Sequence, residues 1–133
     1  MKLNLNLPDP NEKPDRENVV EATLKNLKFT IEDKYNEKIL VLITTSATFN
    51  DERENVLSYA IYLSFINRNK FSYRLFEVNC LNADGGLPVE LIAFSGPSAS
   101  FGKAHTKEEF ELAIEKIFKD RRTRNIILSN YNM

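Results

Sequence analysis

Apolar residues recur in this chain at two different periods, and the switch between them limits the folds open to it. "KILVLITT" (residues 38–45) is an unbroken apolar run rich in β-branched side chains, the pattern of a strand buried on both faces. Toward the other end, Phe110, Ala113, Ile114, Ile117 and Phe118 repeat at i, i+3, i+4, i+7 and i+8, which is one face of a helix. Thr106 and Glu109 precede that stripe at capping-box spacing. Runs of strands interspersed with helices, without strict strand–helix alternation, predict an α+β fold.

The remaining segments fill in this outline. Leu3, Leu5 and Leu7 alternate with asparagines and read as a short strand. "PDPNEKPD" (8–15) holds three prolines and reads as a linker or an ordered turn. Val20, Leu24 and Leu27 recur at helical spacing, with Asp15 as the expected N-cap. Phe29 and Ile31 alternate before "KYNE", so a hairpin is expected to lead into residues 38–45. A helix is expected over 51–69, capped by Asn50 or Asp51, with Val56, Leu57, Ala60, Ile61, Ser64 and Phe65 on one face. Tyr59, Tyr62, Leu63 and Ile66 then fall outside that face and predict a contact surface.

"FSYRLFEVNC" (71–80) and "PVELIAFS" (88–95) read as strands, with Phe71, Tyr73, Leu75 and Glu77 on one face of the first. The loop between them offers Gly85 and Gly86 for positive φ. "RNIILSNYNM" (124–133) suggests a terminal strand. The expected architecture is a two-layer α+β sandwich. A mostly antiparallel sheet of four to six strands, including two hairpins, packs on about three helices. One domain is expected over residues 1–133, with an N-terminal strand and proline-rich segment over 1–15.

Charge and cysteine usage exclude several classes. Eighteen basic and nineteen acidic residues leave a formal net charge of −1, which gives no electrostatic case for a nucleic-acid or membrane binder. The longest apolar run, "ILVLI", has five residues, against about 20 for a membrane-spanning helix. One cysteine cannot close an internal disulfide, and one cysteine with one histidine cannot build a zinc site from soft ligands alone. No metal or cofactor is expected, and a reducing cytoplasmic location is.

Unusual residues crowd between Cys80 and His105, which hold the only cysteine, the only histidine and all four glycines. "GPSASFGKAHT" (96–106) lies between a predicted strand and a predicted helix, where phosphate-cradling loops occur. Five residues separate its glycines and Ala104 follows Lys103, so the Walker spacing is not met. Lys103, His105 and Thr106 are nevertheless the expected binding residues of this loop, because function concentrates on loops. Cys80 reads as a small buried apolar residue. Arg121, Arg122 and Arg124, with Lys116 and Lys119, read as cations at a helix C-terminus.

One charge pattern carries a chemical alternative. Pro14-Asp15 is followed by Glu32-Asp33-Lys34, a spacing that resembles the PD-(D/E)xK nucleases. That resemblance implies two acids, Asp15 and Glu32, holding a divalent metal, with Lys34 steadying the attacking water. Asp15 departs from it by standing at a predicted helix start rather than on a strand. The leading expectation is a non-enzymatic interaction domain that binds another protein or its own copy as a homodimer, using Tyr59 and Tyr62.

Overall fold

The computed structural model describes residues 3–12, 18–69, 71–94 and 99–131. Helix α1 (Val19–Lys34) leads into strands β1 (Ile39–Phe49), β2 (Asn55–Phe65), β3 (Phe71–Cys80), β4 (Val89–Ala93) and β5 (Ala99–Ala104), and helices α2 (Lys107–Lys119) and α3 (Arg121–Tyr131) follow. The five strands form one antiparallel sheet in the order β1-β2-β3-β4-β5, so each strand pairs with its chain neighbours. This is the expected α+β arrangement, with three helices against an antiparallel sheet.

Period 2 decides what each strand buries. On β2, Tyr59, Ile61, Leu63 and Phe65 face the core, and Ile39 and Val41 lie opposite Phe65 and Leu63 on β1. The helices cover that face alone. Val20, Leu24 and Ile31 of α1 and Phe110, Ala113, Ile114 and Ile117 of α2 join the same apolar cluster. Each helix keeps its apolar positions at 3- and 4-residue steps, so one stripe meets the sheet. The other sheet face carries Leu42, Tyr62, Arg74, Glu77 and Glu90, and Leu42 is exposed.

Several local expectations are corrected, among them the N-terminal strand, since residues 3–9 form none. Residues 55–65 form a strand, not a helix. The segment is apolar at most positions, so it fits both templates; its valine, isoleucine, tyrosine and phenylalanine content favours the strand. Asn50 does accept backbone N–H groups, as a helix cap would, but it does so across a hairpin turn. Its Oδ1 takes the N–H groups of Glu52 (3.0 Å) and Glu54 (2.9 Å), with Arg53 at φ 62°. Cap and turn share this local chemistry, which is why the sequence pattern alone misassigns it.

Phe29 and Ile31 belong to α1 and not to a hairpin strand. Val20, Leu24, Leu27 and Ile31 continue one helical stripe to the turn at Tyr35, and "KYNE" supplies left-handed Asn36 and Glu37. The N-cap is Asn18, whose side chain accepts from the Glu21 N–H; the expected cap Asp15 lies outside the described residues. The C-terminal segment is helix α3, burying Thr123 and Ile127 four residues apart, rather than a strand. Lys116 and Lys119 do sit in the last turn of α2, but Arg121, Arg122 and Arg124 open α3. Asp120 offsets them there, accepting the Arg122 N–H at 2.9 Å.

A register shift modifies the alternation on β3. Ile61 pairs with Phe76 while Tyr62 pairs with Arg74, which leaves Leu75 as the extra residue. The bulge lets Leu75 and Phe76 both enter the core and turns Glu77 to the uncovered face. Glu77 therefore does not share the face of Tyr73. It pairs with Arg74 (2.7 Å) and accepts the Ser58 hydroxyl (2.8 Å).

Candidate functional site

The residues singled out from the sequence do not meet at one place. Tyr59 points inward, 2% exposed, and its hydroxyl donates to Glu21 Oε1 at 3.0 Å. Burial first, and the neighbouring Glu21 carboxylate second, push its phenol well above the usual range. Tyr62 lies on the opposite sheet face, between Leu42 of β1 and Arg74 of β3. A helix would have set these tyrosines three residues apart on one side; the strand sets them back to back. The contact surface expected from Tyr59 and Tyr62 together is thus not formed.

Lys103 on β5 lies opposite Glu90 of β4 and lines a cleft of about 330 Å³ at the β1–β2 hairpin tip. Asn50, Asp51, Glu52 and Asn79 complete its polar wall. His105 is exposed in the step between β5 and α2. Thr106 is the α2 N-cap, and its Oγ1 accepts the Glu109 N–H at 3.1 Å, so that hydroxyl serves the helix. Cys80 is buried, with its thiol donating to the Gly85 carbonyl at 3.5 Å. Burial, then the Asp84 and Glu21 carboxylates, raise this thiol to about 11, which keeps it protonated and unreactive near neutral pH.

The residues of the nuclease-like pattern also fall differently from expectation. Glu32 and Lys34 lie on α1, two residues apart, and positions i and i+2 of a helix do not face each other. Asp15 lies outside the described residues. Among the described residues no group of three His, Cys, Asp or Glu side chains could hold a metal ion.

What Glu32 does instead defines the most informative surface of the molecule. β1 is an edge strand, and its odd-numbered residues turn their backbone N–H and C=O groups outward, away from β2. At Val41 both are capped from α1. The Val41 N–H donates to Glu32 Oε2 (2.9 Å), and Lys28 Nζ donates to the Val41 carbonyl (2.9 Å). Lys28 and Glu32 are themselves paired at 2.7 Å across one helical turn. This clasp closes the edge at Val41.

The second half is open. Among the described residues, no hydrogen bond reaches the outward groups of Ile43, Thr45 or Ala47. The segment "TTSATF" (44–49) contains no charge, proline or glycine, the devices that ordinarily blunt an edge. Phe49 at its end is 68% exposed. Beside it, a groove of about 160 Å³ runs between α1 and β1, lined by Glu21, Leu24, Lys25 and Lys28 of α1, Ile43 and Thr45 of β1, and Tyr59. The opposite edge differs. β5 is six residues long, shifts register against β4, and holds Gly102 at φ 86°. The signal for the open edge was present in the sequence as an uncharged, threonine-rich run, but it was masked while residues 51–69 read as a helix.

The clasp has a testable electrostatic signature. Partial burial works against the Glu32 charge, but hydrogen bonds from Lys28 and the Val41 N–H, with the Lys28 charge, hold its carboxyl below the usual value. A carboxylate lowered on folding stabilises the fold above its unfolded pKa and loses that contribution as pH falls through the folded pKa. Glu32→Gln is expected to cost about 1 kcal/mol at pH 7, kept small by the partial exposure of Lys28. Urea melts of both proteins should converge once the pH is below the lowered value. A difference that persists unchanged into acid would show that charge has no part in the clasp.

Comparison with protein-family models, curated proteins and solved structures found no match to this chain. The functional reading therefore rests on the geometry alone.

Proposed function

We propose that this chain is a non-enzymatic, cytoplasmic interaction domain that binds another protein or its own copy along an extended polypeptide segment. The observation that carries this reading is the half-open edge of β1. The outward backbone of Val41 is capped by Lys28 and Glu32, while among the described residues nothing pairs with the outward groups of Ile43, Thr45 and Ala47, which lie beside a groove. Strand addition at such an edge draws affinity from main-chain hydrogen bonds and selectivity from alternate side chains entering the groove. The lone thiol, buried and held protonated, fits a reducing compartment. No helix among the described residues is long and apolar enough to cross a membrane.

The test compares the chain with Ala47→Lys, which sets a charge on the edge without removing a bond to β2. Hydrogen exchange of residues 43–49 is followed as peptides or the chain itself are concentrated. Protection that appears in the unaltered chain and not in Ala47→Lys supports the reading. Metal-dependent cleavage of plasmid DNA that disappears in Glu32→Ala would overturn it in favour of an enzyme.

A further inference from the structure

The N-terminal segment of this chain has the properties that the open edge selects for. Leu3, Leu5 and Leu7 are 73%, 62% and 72% exposed, which is a costly placement for three leucines in one short segment. Between them stand Asn4 and Asn6, so the segment has an apolar face and a polar face at period 2. It carries no charge from Leu3 to Leu7, matching the uncharged run of β1. One local bond, from the Leu7 N–H to the Leu5 carbonyl (2.8 Å), closes a turn at Asn6 that must open for strand pairing.

The residues that follow form a turn of their own. Asp9 and Glu12 close a tight turn through three hydrogen bonds. The Glu12 N–H donates to the Asp9 carbonyl (2.9 Å), the Asn11 N–H to Asp9 Oδ1 (2.8 Å), and the Asp9 N–H to Glu12 Oε2 (3.2 Å). Pro8 and Pro10 flank Asp9 and restrict the backbone further. All residues from Leu3 to Glu12 are exposed. An exposed arm with a closed turn at its base is an arrangement from which exchange between copies can start.

We infer that the open half of β1 receives the Leu3–Leu7 segment of a second copy, in a reciprocal exchange that makes a two-fold dimer. This rests on the interaction reading above and names its occupant. An antiparallel register that sets Leu5 opposite Thr45 and Leu7 opposite Ile43 meets the outward groups of Thr45 and Ile43. It turns all three leucines toward the groove lined by Leu24, Ile43 and Tyr59, and both asparagines toward solvent. The Lys28–Glu32 clasp at Val41 marks where the added strand stops.

The test is the solution mass of the full chain by light scattering, with one variant on each side of the contact. Leu5→Asp alters an exposed arm residue and leaves the body untouched. Ala47→Pro blocks the edge at a position whose N–H points outward, so no bond to β2 is lost; Ala47→Lys serves in its place if the proline variant melts early. The unaltered chain is expected to approach twice 15.4 kDa as concentration rises. Each variant alone should dimerise about 100- to 10,000-fold more weakly, the size of one buried leucine lost at each of the two contacts. Mixing the two should restore dimerisation in part, because the Ala47→Pro arm and the Leu5→Asp edge make one intact contact of the two.

A dimer that Leu5→Asp leaves intact overturns the inference and points to direct β1–β1 pairing, with the interaction reading still standing. A monomer whose Ile43, Thr45 and Ala47 amides are protected, and lose protection in Leu5→Asp, overturns it in favour of the arm folding back on its own edge. A monomer with those amides unprotected, alone and with every added peptide, removes the inference and the interaction reading together.

Discussion

Phe110→Ala is expected to lower the stability of this chain by about 3–5 kcal/mol, the range for deleting a fully enclosed phenylalanine. Phe110 has no exposed surface and sits in the first turn of α2, where it joins the sheet residues in the apolar cluster. The Thr106 cap fixes that turn, so its backbone cannot move in to fill the hole. Phe118, at the other end of the same stripe, is only half-buried and packs on the cluster from outside. Phe118→Ala should therefore cost clearly less than Phe110→Ala. Chemical denaturation of the two variants side by side checks both statements; equal losses would mean that α2 meets the sheet along its whole length.

The second large effect separates two adjacent glycines. Gly85 is buried at φ 80°, and a Cβ there would stand 3.1 Å from Leu57 Cδ1. Gly85→Val combines a β-branched residue in the left-handed region with crowding against Leu57. A loss of about 2–5 kcal/mol is expected, the sum of a backbone term and an overpacking term. It also disturbs the carbonyl to which Cys80 donates. Gly86 has no positive φ and nothing within 4 Å of its would-be Cβ, so Gly86→Val should stay within about 0.5 kcal/mol. Thermal melts of the pair decide the matter, and similar melting temperatures would contradict the loop geometry. The sequence treats the two glycines alike, since only the backbone path distinguishes them.

That pair illustrates what could be read from residues and what could not. The α2 stripe and its Thr106–Glu109 cap were legible because local spacing and local capping agree on one answer. The α+β class and the hairpin of β3 and β4 were legible for the same reason. β2 was not, because a central strand with serines and alanine on one face and large apolar residues on the other leaves few polar positions to mark its period. The Asn50 turn imitated a cap by using the same side-chain hydrogen bonds. The end of α1 was hidden because Phe29 is exposed on the helix, where its alternation with Ile31 carries no meaning. The candidate surface was the least legible, since it depends on which backbone groups of β1 point outward. That follows from the register with β2 and from two side chains of α1, which the uncharged run of the edge segment does not reveal by itself.

The strand order carries a consequence for how the molecule assembles. Each strand of the sheet meets only its neighbours in the chain, so no pairing has to wait for a distant segment. Such a topology keeps the sequence separation of contacts short, and short separations go with fast folding among small domains. Hairpins of β1–β2, β2–β3 and β3–β4 can each form as soon as their own residues are available. The long-range step is the joining of α1 and α2, which lie far apart in the sequence yet pack into one apolar cluster on the same sheet face.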